Sequence, residues 1–179
     1  IRTIPNMVVC SPGDPIETRA ITSKSASYSG PMYLRLGKAG EAIVHEQPIN
    51  EIGIGDILPI ISNTNSSKAL MVSGSILDYA VKCLKEKNDL IDIYSIPFVK
   101  PINKFHLKNI ANKYSKITIL EEHQKSCGVG SAVIEQLSDL YASGQITTFP
   151  KVNRIAINDE FYSISGSQSY LRERAGLIL

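Results

Sequence analysis

The organisation of the chain is clearest in the stretch Lys116-Ile117-Thr118-Ile119-Leu120-Glu121-Glu122-His123, which is followed by Gly128-Val129-Gly130-Ser131-Ala132-Val133. Its apolar first half predicts a buried strand over Lys116 to Leu120. The segment from Ser131 to Ser143 predicts a helix whose core-facing stripe consists of Val133, Leu137, Leu140 and Tyr141. Gly128 and Gly130 lack the lysine of a P-loop and the third glycine of a dinucleotide fingerprint, so we interpret them as residues for tight strand-to-helix packing.

The same alternation of strands and helices continues on both sides of this stretch. Strands are predicted at Ile57 to Ile61, Ala69 to Val72, Leu90 to Ile96 and Val152 to Ile157. Helices are predicted at Ile76 to Lys87, Lys104 to Tyr114 and Gln168 to Ala175, with N-caps at Ser75 and Asn103 and C-terminal glycines at Gly144 and Gly176. Strands that alternate with helices predict a three-layer α/β domain around a mainly parallel sheet.

The first 40 residues form a separate, smaller pattern. A strand is predicted at Met7 to Cys10, and a helix follows with Asp14 as cap, Pro15 at its first position and Glu17 at the capping-box spacing. A second strand, Met32 to Leu36, completes a βαβ unit that is too small to bury its own faces. Since the chain also begins with Ile1, we expect residues 1–40 to be the end of an upstream domain, 41–50 a linker and 51–179 a C-terminal domain.

Composition excludes several classes of function. A net charge of +2 without any basic run interleaved with aromatics argues against nucleic acid as a partner. No apolar run approaches the roughly 18 residues that span a bilayer, so we expect no membrane contact. Cys10, Cys83 and Cys127 have neither disulfide-framework nor zinc spacing, which indicates a reducing compartment and a cytoplasmic location.

The glycine-rich stretch resembles the C-terminal domain of transketolases. Further pieces of that family follow in the same order: Ile4-Pro5-Asn6-Met7, Pro12-Gly13-Asp14, Ser73-Gly74-Ser75, Lys100-Pro101-Ile102 and the tail Asp159-Glu160-Phe161-Tyr162. Deoxyxylulose-5-phosphate synthases and β subunits of 2-oxoacid dehydrogenases share these pieces. Glu121-Glu122-His123 and the tail look closest to the C-terminal subunits of two-chain transketolases.

The resemblance adds detail to the predicted fold. It implies a five-stranded, mostly parallel mixed sheet that follows the tail of a pyrimidine-binding α/β domain. The strand Ile57 to Ile61 is joined to the next strand by a short Asn/Ser/Thr loop, so it is the candidate for the antiparallel strand.

The resemblance also implies an activity, the transfer of a two-carbon ketol unit between sugar phosphates in carbohydrate metabolism, with thiamine diphosphate and Mg²⁺ as cofactors. Gly13-Asp14 and Gly55-Asp56 are not followed by glycine, so the Gly-Asp-Gly motif that holds the metal and diphosphate is absent. The family's activating glutamate would precede Ile4. We therefore expect this part to bind neither cofactor nor metal, to be inactive alone, and to need an N-terminal thiamine-diphosphate-binding domain or subunit in a homodimer. The alternative is a noncatalytic interaction or regulatory module derived from such an enzyme.

Arg35 is the candidate site residue. Met32-Tyr33-Leu34-Arg35 matches the family's last pyrimidine-domain strand, where an arginine binds the substrate phosphate, and Lys38 would add charge. The alternative is a surface arginine in an ion pair or lying over the sheet edge.

The Glu-Glu-His segment has a structural interpretation. Glu121 and Glu122 are adjacent in a strand and point to opposite faces, so we expect one to accept hydrogen bonds from loop amides and the other to be solvated. His123 and Cys127 have no partner at metal or nucleophile spacing, and we assign neither a catalytic role.

Overall fold

A computed structural model describes residues 1–63, 65–87 and 90–179. The N-terminal βαβ unit is confirmed: strand β1 (Val8–Cys10), helix α1 (Pro15–Ala26) and strand β2 (Met32–Leu34) follow one another, and β1 pairs with β2 in parallel. Helix α1 begins as predicted, because Asp14 Oδ1 accepts a hydrogen bond from Glu17 N at 2.8 Å and Pro15 occupies the first turn. The Glu17 carboxylate reaches back to Gly13 N at 2.6 Å, one residue before the cap.

The predicted mixed sheet is confirmed in the C-terminal part. Its strands are β3 (Leu58–Ile61), β4 (Lys68–Ser73), β5 (Asp92–Ser95), β7 (Lys116–Gln124) and β8 (Lys151–Ile157), in the order β3-β5-β4-β7-β8. Strand β3 is antiparallel to β5, as predicted for Ile57 to Ile61, and the other pairs are parallel. Thr64, in the predicted Asn/Ser/Thr loop, lies outside the described residues.

Helices cover both faces of this sheet, which confirms the three layers. The helices are α2 (Leu77–Glu86), α3 (Lys104–Lys113), α4 (Val129–Ala142) and α5 (Gln168–Arg174). Alternate residues of β4 point to opposite faces: Ala69 and Met71 pack with α3 and α4, whereas Leu70 and Val72 pack with α2 and the C-terminal end. In the part of the chain that the structure describes, no helix is long and apolar enough to cross a membrane.

One strand was missed by the sequence patterns. Strand β6 (Phe98–Lys100) pairs antiparallel with β1, giving a second sheet of order β2-β1-β6. Phe98 is fully buried in a small core with Val8, Cys10, Ile21 and Ile52. The N-terminal unit therefore shares a sheet and a small core with residues of the predicted C-terminal domain. The domain boundary at 41–50 stays a prediction.

Helix and strand ends differ from the predictions at several points. Asn103 caps α3 and Gly144 ends α4 with φ +70°, as predicted. Ser75 does not cap α2, because its hydroxyl donates to Glu122 and the N-cap residue is Ile76. Tyr141 is 52% exposed and packs edge-on against Phe149, so its placement in the core stripe was wrong.

Candidate functional site

An irregularity in β7 interrupts its pairing with β8 at the Glu-Glu-His segment. Strand β7 pairs with β4 as far as Ser73 opposite Glu121. Along its other edge, β7 advances from Leu120 to Gln124 while β8 advances only from Ile155 to Ile157. Bulges of this kind redirect side chains and are frequent beside functional sites.

Glu121 occupies the start of helix α4. Its buried carboxylate accepts hydrogen bonds from Val129 N at 2.7 Å and Gly130 N at 2.9 Å. Burial raises the pKa of Glu121, and the two amide bonds oppose that shift. A Cβ on Gly128 would lie 2.1 Å from this carboxylate, so a side chain there would displace Glu121 from the two amides. These two amides are therefore used by the protein itself, in agreement with the packing interpretation of the glycines.

Glu122 points away from Glu121 and has its own partners. Its carboxylate accepts from Arg172 Nε at 2.7 Å and from Ser75 Oγ at 3.3 Å. The expectation of a solvated second glutamate was wrong, because an arginine 50 residues further along the chain packs over it.

Arg35 lies directly after β2 and faces the β7 bulge. Its backbone N donates to Cys10 O at 2.9 Å, and its Nη1 donates to the Glu122 backbone carbonyl at 2.9 Å. The rest of the side chain is exposed. Lys38 lines other cavities, so it does not join Arg35 as the sequence suggested.

Arg35 lines a cavity of about 330 Å³ between the two sheets. Other residues of its wall come from both parts of the chain: Arg2, Ser11, Tyr33, Glu121, His123 and Cys127. Arg2 holds the loop at one side, since its guanidinium binds both oxygens of Glu135 at 2.7 and 2.8 Å and Cys127 O at 3.1 Å. Cys127 has a φ of +62° in that loop. Arg35 and His123 are among the exposed polar side chains of the cavity wall.

A second polar cluster, consisting of Asp14, Glu17 and His45, was not foreseen. Asp14 Oδ2 accepts from Val44 N at 3.0 Å, His45 N at 2.9 Å and His45 Nδ1 at 3.0 Å, and His45 Nε2 lies 3.7 Å from Glu17 Oε1. Both carboxylates are fully buried. His45 is in the predicted linker, and no sequence spacing links it to Asp14, 31 residues earlier.

Burial and hydrogen bonding act against each other on the pKa values of this cluster. Burial raises the pKa of Glu17, and the nearby Ser95 hydroxyl and the bond from Gly13 N reduce that effect without cancelling it. Burial also acts to raise the pKa of Asp14, but the bonds from His45, Glu17 and Val44 outweigh it and the pKa is lowered. For His45, burial lowers the pKa, and the bond to Asp14 with the nearby carboxylates reverses the shift and raises it.

The Asp14, Glu17 and His45 cluster does not fit a metal–diphosphate site. Its three side chains lie close enough together to hold a metal ion, since their ligand atoms are within 4.8 Å of one another. However, Asp14 Oδ2 already accepts from the donors of residues 44 and 45, and Glu17 Oε2 accepts from Gly13 N. Within the described part of the chain, Glu17 Oε1 and His45 Nε2, 3.7 Å apart, are the cluster's two unpartnered atoms, and one oxygen and one nitrogen are too few for the oxygen ligands that Mg²⁺ requires. We derive no chemical step through a metal or cofactor at this position.

Comparison with known proteins identifies the family. The family model for the C-terminal domain of transketolase matches residues 72–176, more than half of the chain. This chain belongs to the transketolase C-terminal domain family. The match begins in β4 and includes the Glu-Glu-His segment and the glycines of α4, while Arg35 lies before it.

Relatives of this family align with nearly the whole chain. A 1-deoxy-D-xylulose-5-phosphate synthase of Thermus thermophilus is 27% identical over 99% of the chain and 27% of its own length. One of the subunits of an apulose-4-phosphate transketolase, from Phocaeicola vulgatus, is 26% identical over 86% of the chain and 49% of its own length. A solved structure titled a split-gene transketolase, inactive β4 tetramer, has a TM-score of 0.81 and 28% identity, with 98% of this chain and 54% of that one covered. The chain therefore spans about a quarter to a half of these relatives.

Proposed function

We propose that this chain is the C-terminal portion of a transketolase-like transferase that moves a two-carbon ketol unit between sugar phosphates. The family membership and the relatives named as a transketolase subunit and a split-gene transketolase support this proposal. The observation that carries it is Arg35, an exposed guanidinium held by one backbone carbonyl in the wall of a cavity.

Arg35 binds the phosphate of the substrate in this proposal. A guanidinium carries five N–H donors in a planar fork, and the bond to Glu122 O uses Nη1 to fix its orientation. Donors therefore remain for an anion in the cavity. The alternative, a surface arginine in an ion pair, is disfavoured because the observed partner is a neutral carbonyl.

The cofactors of the full enzyme in this proposal are thiamine diphosphate and Mg²⁺, held by an N-terminal domain or subunit. Residues 1–40 complete the pyrimidine-side domain, 41–50 act as a linker, and 51–179 form a C-terminal domain that helps to assemble a homodimer in the cytoplasm. The solved relative titled an inactive β4 tetramer supports the expectation that this portion alone does not turn over.

Reconstitution tests the enzyme assignment. The full-length chain is combined with its N-terminal partner, thiamine diphosphate and Mg²⁺, and ketol transfer from xylulose 5-phosphate is followed. Turnover that requires both parts supports the proposal. Absence of turnover with every ketose phosphate and 2-oxoacid tried would favour a noncatalytic interaction module.

Substitution of Arg35 tests the phosphate role in the same reconstituted enzyme. Arg35→Ala raises KM for sugar phosphates by roughly 10- to 100-fold, because a charge-assisted hydrogen bond contributes about 1.5–3 kcal/mol. Affinity for thiamine diphosphate stays unchanged. Arg19→Ala is the matched control, since Arg19 is an exposed arginine on helix α1, away from the cavity. Equal KM changes for the two variants would remove Arg35 from the site.

A second candidate is a synthase that forms 1-deoxy-D-xylulose 5-phosphate. The synthase of Thermus thermophilus aligns over 177 residues, including the N-terminal unit, and this favours it. Both candidates use a phosphorylated sugar. Product analysis of the reconstituted enzyme with 2-oxoacids and sugar phosphates separates them, because 1-deoxy-D-xylulose 5-phosphate forms only in the synthase reaction.

A further inference from the structure

The Arg35 cavity has a second ionisable side chain in its wall. His123 follows Glu122, the residue whose carbonyl holds Arg35, and both His123 and Arg35 line the same cavity of about 330 Å³. The irregular register between β7 and β8 lies at this point of β7 and leaves residues 121–123 outside the ladder with β8. The two side chains therefore reach the cavity from neighbouring backbone positions, although they come from different sheets.

The hydrogen bond of the His123 ring determines what its other nitrogen presents. Nδ1 lies 2.9 Å from the Gln124 carbonyl, and because a carbonyl only accepts, Nδ1 carries the proton. In the neutral ring, Nε2 then has a lone pair and repels an anion. In the imidazolium, Nε2 donates and carries positive charge, so protonation changes His123 from an unfavourable to a favourable neighbour of a phosphate.

The carboxylates around the cavity have partners of their own. Glu121 accepts from the Val129 and Gly130 amides, and Glu122 pairs with Arg172. Burial raises the pKa of Glu121, and the bonds from the Gly130 and Val129 amides oppose that shift. The other titratable groups in the wall are Arg2, which is bound to Glu135, and the amino group of Ile1, the thiols of Cys10 and Cys127 and the phenol of Tyr33.

From this geometry we infer that His123, in its protonated form, donates through Nε2 to the same phosphate that Arg35 binds. The inference rests on the proposed function of Arg35 and extends it by a second ligand from the C-terminal domain. Binding of phosphorylated substrate then depends on pH through His123, and the C-terminal domain contributes directly to substrate recognition.

Sulfate is the probe for this inference, because its charge stays constant across neutral pH while that of a sugar phosphate changes. Its inhibition constant against the sugar phosphate substrate is measured between pH 6 and pH 8.5 in the reconstituted enzyme. In the wild type, inhibition weakens as pH rises. His123→Ala weakens inhibition about tenfold at pH 6 and has little effect at pH 8.5, as expected for loss of one charge-assisted hydrogen bond.

Two further variants separate this role from general effects. His123→Gln keeps amide donors that do not titrate, so its sulfate inhibition is independent of pH. Lys125→Ala removes an exposed cation two residues further along, outside the cavity, and follows the wild type.

The outcomes distinguish this inference from the proposed function beneath it. Wild-type inhibition constants and pH dependence in both His123 variants would overturn the role of His123. If Arg35→Ala weakens sulfate inhibition in that case, only the inference about His123 fails. If Arg35→Ala also behaves like the wild type, the phosphate site itself is wrong.

Discussion

The buried cluster of Asp14, Glu17 and His45 and the open pair of Arg35 and His123 place charge in opposite environments. Asp14 and Glu17 are fully buried and receive bonds from neighbouring backbone amides. Arg35 and His123 are exposed, and each donates to a single backbone carbonyl. Most polar atoms of the buried cluster are hydrogen-bonded within the fold, and among the described residues Glu17 Oε1 and His45 Nε2 are its two atoms without a partner. Exposed donors remain available to a ligand. The first group therefore stabilises the fold, and the second is suited to binding an anion.

Loss of Asp14 has the largest expected effect on stability. Asp14→Ala removes the N-cap of α1 and leaves the amides of residues 44 and 45 without their acceptor. We expect the free energy of unfolding to fall by about 3 kcal/mol, since a lost cap costs about 1 kcal/mol and buried unsatisfied donors add to it. Urea unfolding measures this change. Glu46→Ala, at an exposed carboxylate next to His45, is the control and changes stability by less than about 0.5 kcal/mol.

Stability of the buried cluster depends on pH in a direction set by its pKa shifts. Glu17 and His45 have raised pKa values. At pH values above their ordinary pKa values of 4.5 and 6.5, the folded chain therefore binds more protons than the unfolded chain. Their contribution is complete below those values and is lost as pH rises. The pKa of Asp14 is lowered, so its contribution is present above its ordinary value of 3.8 and is lost as pH falls further. The cluster therefore stabilises the fold most at mildly acidic pH.

Glu17→Gln makes this dependence measurable. The variant cannot take up the proton, so the decrease in stability between pH 5 and pH 8 becomes smaller. The difference is at least about 1.4 kcal/mol, the equivalent of one pKa unit, because burial raises the pKa of Glu17 from 4.5 to about 7. Thermal unfolding of wild type and variant across that range tests this. A variant with the same slope as the wild type would show that Glu17 is not the group that binds the proton.

A smaller effect is expected at Glu122 in the wall of the Arg35 cavity, because two side chains donate hydrogen bonds to its carboxylate. Ser75→Ala removes the 3.3 Å bond to Glu122, but Arg172 remains at 2.7 Å. We expect a loss of about 0.5 kcal/mol in urea unfolding, the low end for a single hydrogen bond. A loss above about 2 kcal/mol would mean that Ser75 has a role beyond this contact.

Local chemistry explains the parts of the fold that the sequence predicted. Asp14 and Pro15 determine where α1 begins, and Asn103 and Gly144 mark helix ends through contacts within a few residues. The alternation of strands and helices was sufficient to predict the three layers. The antiparallel placement of Ile57 to Ile61 came from the family resemblance and the short loop, and the structure confirms it.

The features that the sequence missed depend on contacts between distant parts of the chain. Strand β6 has only three residues and forms its ladder with β1, about ninety positions earlier. Arg172 pairs with Glu122 across 50 positions, and His45 meets Asp14 across 31. The hydrophobic periodicity of the sequence gives no information about such long-range pairings. Arg35 was identified through the resemblance, and its role in phosphate binding stays a prediction.

The most direct test compares Arg35→Ala with Glu17→Gln in the reconstituted enzyme, using a phosphorylated sugar and its unphosphorylated counterpart as substrates. We expect Arg35→Ala to raise KM for the phosphorylated sugar roughly 10- to 100-fold, to leave KM for the free sugar unchanged and to unfold like the wild type. We expect Glu17→Gln to alter the pH dependence of unfolding and to leave both KM values unchanged. Equal increases in KM for both sugars in Arg35→Ala would contradict the assignment of the Arg35 cavity to phosphate binding.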